Sequence, residues 1–218
     1  MSTTPRQLLD IRTAVPAFDV LGDAALTSDA EAIAEIARAA RRPLAVWTGG
    51  LGDSLFDLSP RTWANDGWLA LTAGLAAMPA PVVLRPHARH VLADPMRTLR
   101  FLREREAAGA PCSVLLEPAA LLSPSMLDPR SLDDHLTRAL EMLGPAAEAI
   151  LLSNVRAPAN GSDDLEAPLS LTGLAGGAID PQRLLGIILR ICPGARLVAH
   201  AADLEGLGLA SRLASDRR

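Results

Sequence analysis

The chain has 218 residues, of which 49% are hydrophobic and only 3% are aromatic, and its formal net charge is −4. This length and apolar content predict a fold with a sizeable packed core. No basic face stands out, and aromatic stacking platforms are scarce, so the composition argues against nucleic acid as a partner. The sequence contains no lysine and no tyrosine, which excludes Schiff-base chemistry and a phosphate-binding P-loop lysine.

The cysteine content and the N-terminus indicate the compartment. The two cysteines, Cys112 and Cys192, lack the spacing of metal ligands, and a reduced setting explains them most simply. Residues 1–10 have no signal-peptide pattern, and no apolar run reaches the length of about 18 residues that a membrane helix needs. We therefore expect a cytoplasmic protein without a membrane partner.

Short apolar runs alternate with helical patterns along the chain. Strands are predicted over residues 17–22, 43–49, 81–86, 112–117, 148–155 and 196–201. Helices are predicted over residues 28–40, 61–78, 94–109, 131–144, 180–192 and 203–215. These six βα units predict an α/β fold with a parallel sheet, either doubly wound or closed as a barrel. No G-x-G-x-x-G motif follows the first strand, which argues against a dinucleotide-binding domain.

One acidic residue interrupts the apolar pattern. Glu117 ends the strand "CSVLLE" over residues 112–117, and Pro118 follows it. A soluble protein rarely buries a glutamate without a partner. We therefore expect either that Glu117 meets water or a ligand, or that a cation lies opposite it.

Three stretches carry a resemblance to a known family. They are residues 80–102, residues 115–156, which begin "LLEPAALL" and contain "LGPAAEAILLSN", and residues 171–206, which contain "GLAGGAID". They resemble the sugar phosphate isomerase/epimerase family, whose members are xylose isomerase-like TIM barrels. The resemblance extends over residues 17–215 and is strongest from residue 80 onward. It implies a (β/α) TIM-type barrel that is incomplete, with about six βα units.

The resemblance also implies a domain organisation. Residues 1–16 are predicted to be an N-terminal helical remnant, with its helix over residues 5–12, and residues 17–218 a single barrel domain. An incomplete barrel leaves strand edges open to other chains. We therefore expect a homo-oligomer or a protein partner, unless residues 1–16 cover the opening.

The family binds a divalent metal with acids and histidines at strand ends, and this chain departs from that set. Where the family has Glu, Asn, a His-containing stretch and a second Glu, the chain has Arg85, Ala120, Leu151-Leu152 and Ala199. A metal needs several ligands in place, and a guanidinium among them repels it. The comparison therefore predicts no metal and no cofactor. An ion pair between Arg85 and Glu117 would satisfy both groups in its place.

The remaining site candidates lie near predicted strand ends. Arg85, His90, His200, Asn154 and Trp47 are predicted to bind a ligand, and Glu117 and His87 would be catalytic if the protein is active. Several of them have a structural alternative. Residues 85–90 could be a solvated loop, His200 a hydrogen-bonded core residue, and the segment 48–54 after Trp47 a plain turn.

Two functions remain open at this point. The loss of the metal ligands favours a sugar phosphate isomerase/epimerase-like protein with a degenerate metal site, acting as a non-catalytic binding or assembly module. The alternative is a metal-independent isomerase or epimerase acting on a small sugar or sugar phosphate. In that enzyme Glu117 or His87 would move a proton beside a carbonyl group, and Arg85 would hold the oxyanion.

Overall fold

A computed structural model describes residues 6–57, 59–156 and 169–206 of the chain. The strands are β1 (Arg6–Asp10), β2 (Pro16–Ala25), β3 (Leu44–Trp47), β4 (Val82–Arg85), β5 (Ser113–Leu116), β6 (Ala147–Leu151), β7 (Asn154–Arg156), β8 (Ser170–Thr172) and β9 (Leu197–His200). The helices are α1 (Ala30–Ala39), α2 (Pro60–Trp63), α3 (Asn65–Ala76), α4 (Pro95–Ala107), α5 (Leu132–Leu143), α6 (Pro181–Ile191) and α7 (Ala201–Gly206). Within the described ranges, no helix combines the length and apolar character that crossing a membrane requires.

Seven of the strands form one barrel. Hydrogen bonding orders them β1-β2-β3-β4-β5-β6-β9 in a closed ring, while β7 and β8 pair separately as a two-stranded sheet. The predicted α/β barrel is therefore confirmed. It closes with seven strands, one of which, β1, runs antiparallel to its neighbour β9.

The chain divides into two compact units. Among the described residues, the first contains 18–115, and the second contains Gln7–Ala17 together with 116–156 and 169–206. In the first unit β2, β3, β4 and β5 pair in parallel. The strands β3 and β4 are buried along their whole length, as expected for parallel strands covered on both faces.

Helix α4 follows the sequence signals most closely. The Asp94 carboxylate accepts a hydrogen bond from the Arg97 backbone N–H at 2.9 Å, and Pro95 occupies the first helical position. Both features stabilise a helix start. Gly109, just beyond the helix, has a φ of 70°, the left-handed conformation that glycine adopts without strain.

The helix predicted over residues 61–78 is broken in two. Ala64 is extended, with a ψ of −175°, and separates α2 from α3. A Cβ atom on Gly67 would lie 2.1 Å from the Thr62 carbonyl oxygen, so the two helical segments pack at backbone contact. The Thr62 hydroxyl also accepts a hydrogen bond from the Leu51 N–H at 2.8 Å. This tertiary bond fixes α2 to the loop before it, and the local helical pattern does not reveal it.

The N-terminal helix prediction is wrong. Residues 6–10 form strand β1, which pairs antiparallel with β9 in the register Leu8↔His200 and Asp10↔Val198. On its other side β9 pairs in parallel with β6. The N-terminal segment thus covers the β9 edge that was expected to be open. The domain boundary at residue 16 and the predicted oligomer or protein partner stay predictions.

Asp10 holds the turn that follows β1. Its carboxylate accepts hydrogen bonds from the Arg12 N–H at 2.9 Å and from Arg196 Nε at 3.1 Å. Burial alone would raise the pKa of Asp10, but these hydrogen bonds and the Arg196 charge leave that pKa below its ordinary value. The carboxylate therefore stays ionised and bridges the β1 turn to the start of β9.

The strand predicted over residues 148–155 is interrupted. β6 ends at Leu151 and β7 begins at Asn154, because the Asn154 side chain bonds to a different part of the second unit. Strand β8 was not predicted. The end of the last predicted helix, residues 207–215, lies outside the described residues.

Shortening one side chain of β1 tests how much this strand contributes to stability. Leu8 is fully buried, whereas Gln7 beside it is exposed. We expect Leu8→Ala to lower the free energy of unfolding by about 2–5 kcal/mol, and Gln7→Ala to change it by less than about 0.5 kcal/mol. Urea unfolding of both variants measures the difference. Equal effects would show that β1 contributes no core packing.

Candidate functional site

The carboxyl ends of β3 and β4 hold a buried cation against an indole ring. Trp47 and Arg85 are register partners on the two strands and are only 3% and 4% exposed. The guanidinium carbon of Arg85 lies 3.6 Å from the centroid of the Trp47 ring, which is cation–π geometry. The Trp47 indole N–H donates to the Gly22 carbonyl at 3.1 Å, so the ring is also held at its edge.

Two histidines and a phenylalanine complete an aromatic cluster, which consists of Trp47, Phe56, Arg85, His87 and His90. Both histidines are buried, and their ring centroids are 4.8 Å apart. Each meets Trp47 in an edge contact, at 5.6 Å and 5.4 Å. The half-buried Phe56 ring stacks on His90 at 5.3 Å, with an angle of 8° between the planes.

Hydrogen bonds indicate which ring nitrogen of each histidine carries the proton. Nδ1 of His87 accepts from the Arg89 backbone N–H at 3.1 Å. Nε2 of His90 lies 3.0 Å from the Leu55 carbonyl oxygen, so it donates. We therefore assign both neutral rings as the Nε2–H tautomer, on the basis of these partners.

The surroundings of the cluster keep both imidazoles uncharged. Burial, followed by the charges of Arg85 and Arg89, lowers the pKa of His87 to about 3. Burial lowers the pKa of His90 well below its ordinary value of 6.5. The neighbouring His87 lowers this pKa further, and the hydrogen bond to the Leu55 carbonyl opposes the shift. A proton-transferring group works best with a pKa near the operating pH. These rings are therefore suited to neutral hydrogen bonding rather than to acid–base exchange near neutral pH.

The loop after β3 is held in one conformation by a glycine. Gly49 has a φ of 79°, and a Cβ atom there would lie 2.2 Å from the Thr27 hydroxyl oxygen. Its carbonyl accepts from the Val91 N–H at 2.8 Å, and the Thr27 hydroxyl donates to the Gly50 carbonyl at 2.9 Å. The glycines of this segment thus bring it close to neighbouring backbone.

Buried polar atoms without a hydrogen-bond partner among the described residues occur in this part of the chain, and two of them belong to residues that are neither charged nor exposed. They are the Thr48 hydroxyl oxygen and Nδ1 of His90, both on residues that are 0% exposed. An unsatisfied buried polar group costs about 1–3 kcal/mol and calls for an explanation, such as a bound water or a ligand. These two atoms mark where this part of the chain could accept a polar ligand.

The second unit contains the other predicted site residues. Glu117 is buried and opens a 3₁₀ turn over Pro118–Leu121, and His200 ends β9. Asn154 uses its whole hydrogen-bonding capacity within the unit. Its amide donates to the Leu174 and Ile179 carbonyls, and its oxygen accepts from the Val155 and Ile179 N–H groups. Asn154 therefore acts as a structural bridge, and its predicted ligand binding stays a prediction.

The structure brings together four of the predicted site residues, namely Trp47, Arg85, His87 and His90. Their roles, those of Glu117 and His200, and the Arg85–Glu117 ion pair stay predictions. Sequence reasoning missed Phe56 and did not single out Thr48. Thr48 lies at the end of the strand predicted over residues 43–49, which is a usable signal, but Phe56 lies in a loop without periodicity.

The side chains do not fit the divalent metal that the family resemblance implies. Across residues 6–57, 59–156 and 169–206, no group of three or more His, Cys, Asp or Glu side chains could hold a metal ion. The two clustered histidines have Arg85 beside them, and its positive charge disfavours a second cation.

Comparisons with known proteins bear on the fold. No protein-family model and no curated protein matches the sequence. The xylose isomerase domain protein of Planctomyces limnophilus has 17% identity and a TM-score of 0.52, over 87% of this chain and 66% of its own. The probable 3-DHS dehydratase AsbF of Bacillus anthracis, involved in petrobactin synthesis, has 16% identity and a TM-score of 0.47, over 92% and 75%. A xylose isomerase-like TIM barrel protein from Mycobacterium smegmatis, in complex with magnesium, has 10% identity and a TM-score of 0.48, over 86% and 67%.

The likeness to the Planctomyces limnophilus protein shows a xylose isomerase-like TIM barrel fold and confirms the fold that the resemblance predicted. The chain spans 66% of that protein's length. A fold supports many chemistries, so the function must be argued from the site.

The neutral histidines predict a specific dependence of stability on pH. A His with pKa about 3 when folded and about 6.5 when unfolded binds more protons in the unfolded chain between those values. The free energy of unfolding therefore falls as pH drops below about 6.5, by up to about 1.4 kcal/mol per pH unit for His87.

The variant His87→Asn isolates this effect, because its side-chain oxygen can still accept from Arg89 N–H while the titrating group is removed. We expect it to be less stable than wild type at pH 7 but to lose less stability between pH 7 and pH 5. Urea unfolding at several pH values measures both slopes. Identical slopes would show that His87 is not held neutral by the fold.

Proposed function

We propose that this chain, with its xylose isomerase-like TIM barrel fold, is a sugar phosphate isomerase/epimerase-like binding module with a degenerate metal site that does not catalyse isomerisation. The observation that carries the proposal is the aromatic cluster itself. It places a buried guanidinium and two neutral imidazoles at adjoining strand ends, the end at which barrel sites lie, without a set of metal ligands. The buried Thr48 hydroxyl follows Trp47 directly in the chain.

The polar atoms of the cluster suit a hydroxyl-rich anion. Nδ1 of His90 can accept a hydrogen bond from a sugar hydroxyl, and the Thr48 hydroxyl can donate or accept one. Arg85 supplies positive charge for a phosphate or carboxylate group. The half-buried Phe56 ring covers the histidines, so ligand entry requires this ring to move.

The alternative function, a metal-independent isomerase, requires a group that exchanges a proton near neutral pH. The pKa of about 3 argues against His87 in that role, which leaves Glu117 as the candidate base. Incubation with pentose and hexose phosphates in D₂O tests this alternative. Incorporation of deuterium next to the carbonyl carbon, abolished by Glu117→Gln, would overturn the non-catalytic proposal.

Replacing Thr48 by valine tests the binding proposal in two directions. Because the buried hydroxyl has no partner among the described residues, we expect Thr48→Val to stabilise the free protein by about 1 kcal/mol, or about 2–4 °C in Tm. If the hydroxyl meets the ligand, the same change should weaken sugar phosphate binding about tenfold. Calorimetric titration and thermal unfolding measure the two effects.

The matched control is Thr72→Val on α3, whose hydroxyl donates to the Trp68 carbonyl at 2.8 Å. It should leave binding unchanged. The free sugars and inorganic phosphate show which part of the ligand is recognised. Absence of binding by every sugar phosphate tested, or unchanged binding by Thr48→Val, would contradict the proposal.

Metal addition and removal provide a second test of the degenerate site. A metal that binds only the folded state raises the Tm, and its removal lowers it. Because we expect no metal to bind, EDTA, Mn²⁺ and Mg²⁺ should each leave the Tm unchanged. A rise in Tm with Mn²⁺ that disappears in Glu117→Ala would show a working metal site.

A further inference from the structure

A second recess lies at the opposite ends of the strands of the first unit. It is an open groove of about 540 Å³ beside the amino ends of β4 and β5, bordered by the end of α3 and by α4. Its walls are mainly apolar and include Leu75, Met78, Val82 and Pro111. No acidic side chain lines it, and Arg105 is its charged residue.

Arg105 differs from two other arginines of α4. Arg97 Nε donates to the Val91 carbonyl, and Arg100 Nε forms an ion pair with Glu104 at 2.8 Å. Arg105 is half-buried, and its Nε atom is buried without a hydrogen-bond partner among the described residues. A buried N–H donor without an acceptor is costly, so this donor can gain from an acceptor that a ligand brings into the groove.

Cys112 lies in the same groove and does not supply a negative charge to pair with Arg105. Burial raises the pKa of the Cys112 thiol to about 11, although the Arg105 charge acts in the opposite direction. The thiol is therefore neutral near pH 7 and carries no negative charge that could pair with Arg105. It also provides a chemical probe inside the groove.

We propose that this groove is a binding site for a small organic carboxylate with an apolar body, with Arg105 holding the carboxylate. The planar guanidinium fork matches a carboxylate through two parallel hydrogen bonds. The apolar walls would cover the rest of the ligand, and the volume lies in the range of small-molecule sites. This site is separate from the aromatic cluster and does not depend on the function proposed there.

Calorimetric titration of the full chain with 4-phenylbutyrate, and with the uncharged 4-phenylbutanol, tests the proposal. We expect the carboxylate to bind at least about tenfold more tightly than the alcohol, because a hydrogen bond to a charged group is lost in the latter. Arg105→Met should weaken carboxylate binding to the same degree. The control Arg103→Met, an exposed position on α4 outside the groove, should leave it unchanged.

Alkylation locates the bound probe on the wild-type chain and so does not depend on the folding of a variant. Iodoacetamide at mildly alkaline pH, followed by peptide mass spectrometry, compares Cys112 in the groove with Cys192 outside it. We expect 4-phenylbutyrate to slow the modification of Cys112 several-fold and to leave that of Cys192 unchanged. Equal binding of the alcohol, unchanged binding by Arg105→Met, or an unprotected Cys112 would each overturn the proposal.

Discussion

The burial of the Arg85 guanidinium against the Trp47 ring is the constraint on which the candidate site depends. Removing a charged group from water costs several kcal/mol, and the indole face, 3.6 Å away, returns up to about 2 kcal/mol of that cost. The Trp47 ring must therefore keep its position. It does so through the β3–β4 register and its hydrogen bond to Gly22. The same positive charge helps to keep His87 and His90 neutral.

The first unit places arginines at both ends of its strands, in different surroundings. Arg85 is almost wholly buried and stacked, so its contribution is a fixed field and a fixed geometry. Arg105 is half-buried, and its buried Nε atom has no acceptor among the described residues. The fixed position of Arg85 favours a ligand whose shape matches the site. The unsatisfied N–H of Arg105 favours a ligand that carries a hydrogen-bond acceptor, such as an anion.

The sequence predicts those parts of the fold that local signals specify. The α4 start at Asp94-Pro95 is one example, and the convergence of Trp47, Arg85, His87 and His90 is another, because neighbouring parallel strands end at the same edge.

The sequence did not predict strand β1, whose pairing partner β9 lies far along the chain. It also missed the break at Ala64, beside which Thr62 bonds to Leu51, and the contacts of Asn154 with Leu174 and Ile179, because the local pattern does not reveal hydrogen bonds between separate segments. Phe56 reaches the cluster from an irregular loop, which has no periodicity to detect. The resemblance supplied the barrel, whereas the roles of Glu117 and His200 at their strand ends stay predictions.

The pairing of β1 with β9 has a consequence for how the chain folds. Asp10 and Arg196, which join the two strands through their side chains, are separated by 186 residues. Contacts of such high sequence separation carry a large loop-closure entropy and slow the folding reaction. During synthesis β1 leaves the ribosome well before β9, because the intervening chain must be made in between. Until then the edge of β1 that pairs with β9 stays open, and open strand edges are prone to intermolecular association. The β1–β9 contacts that close the barrel therefore cannot form until the last barrel strand has been made.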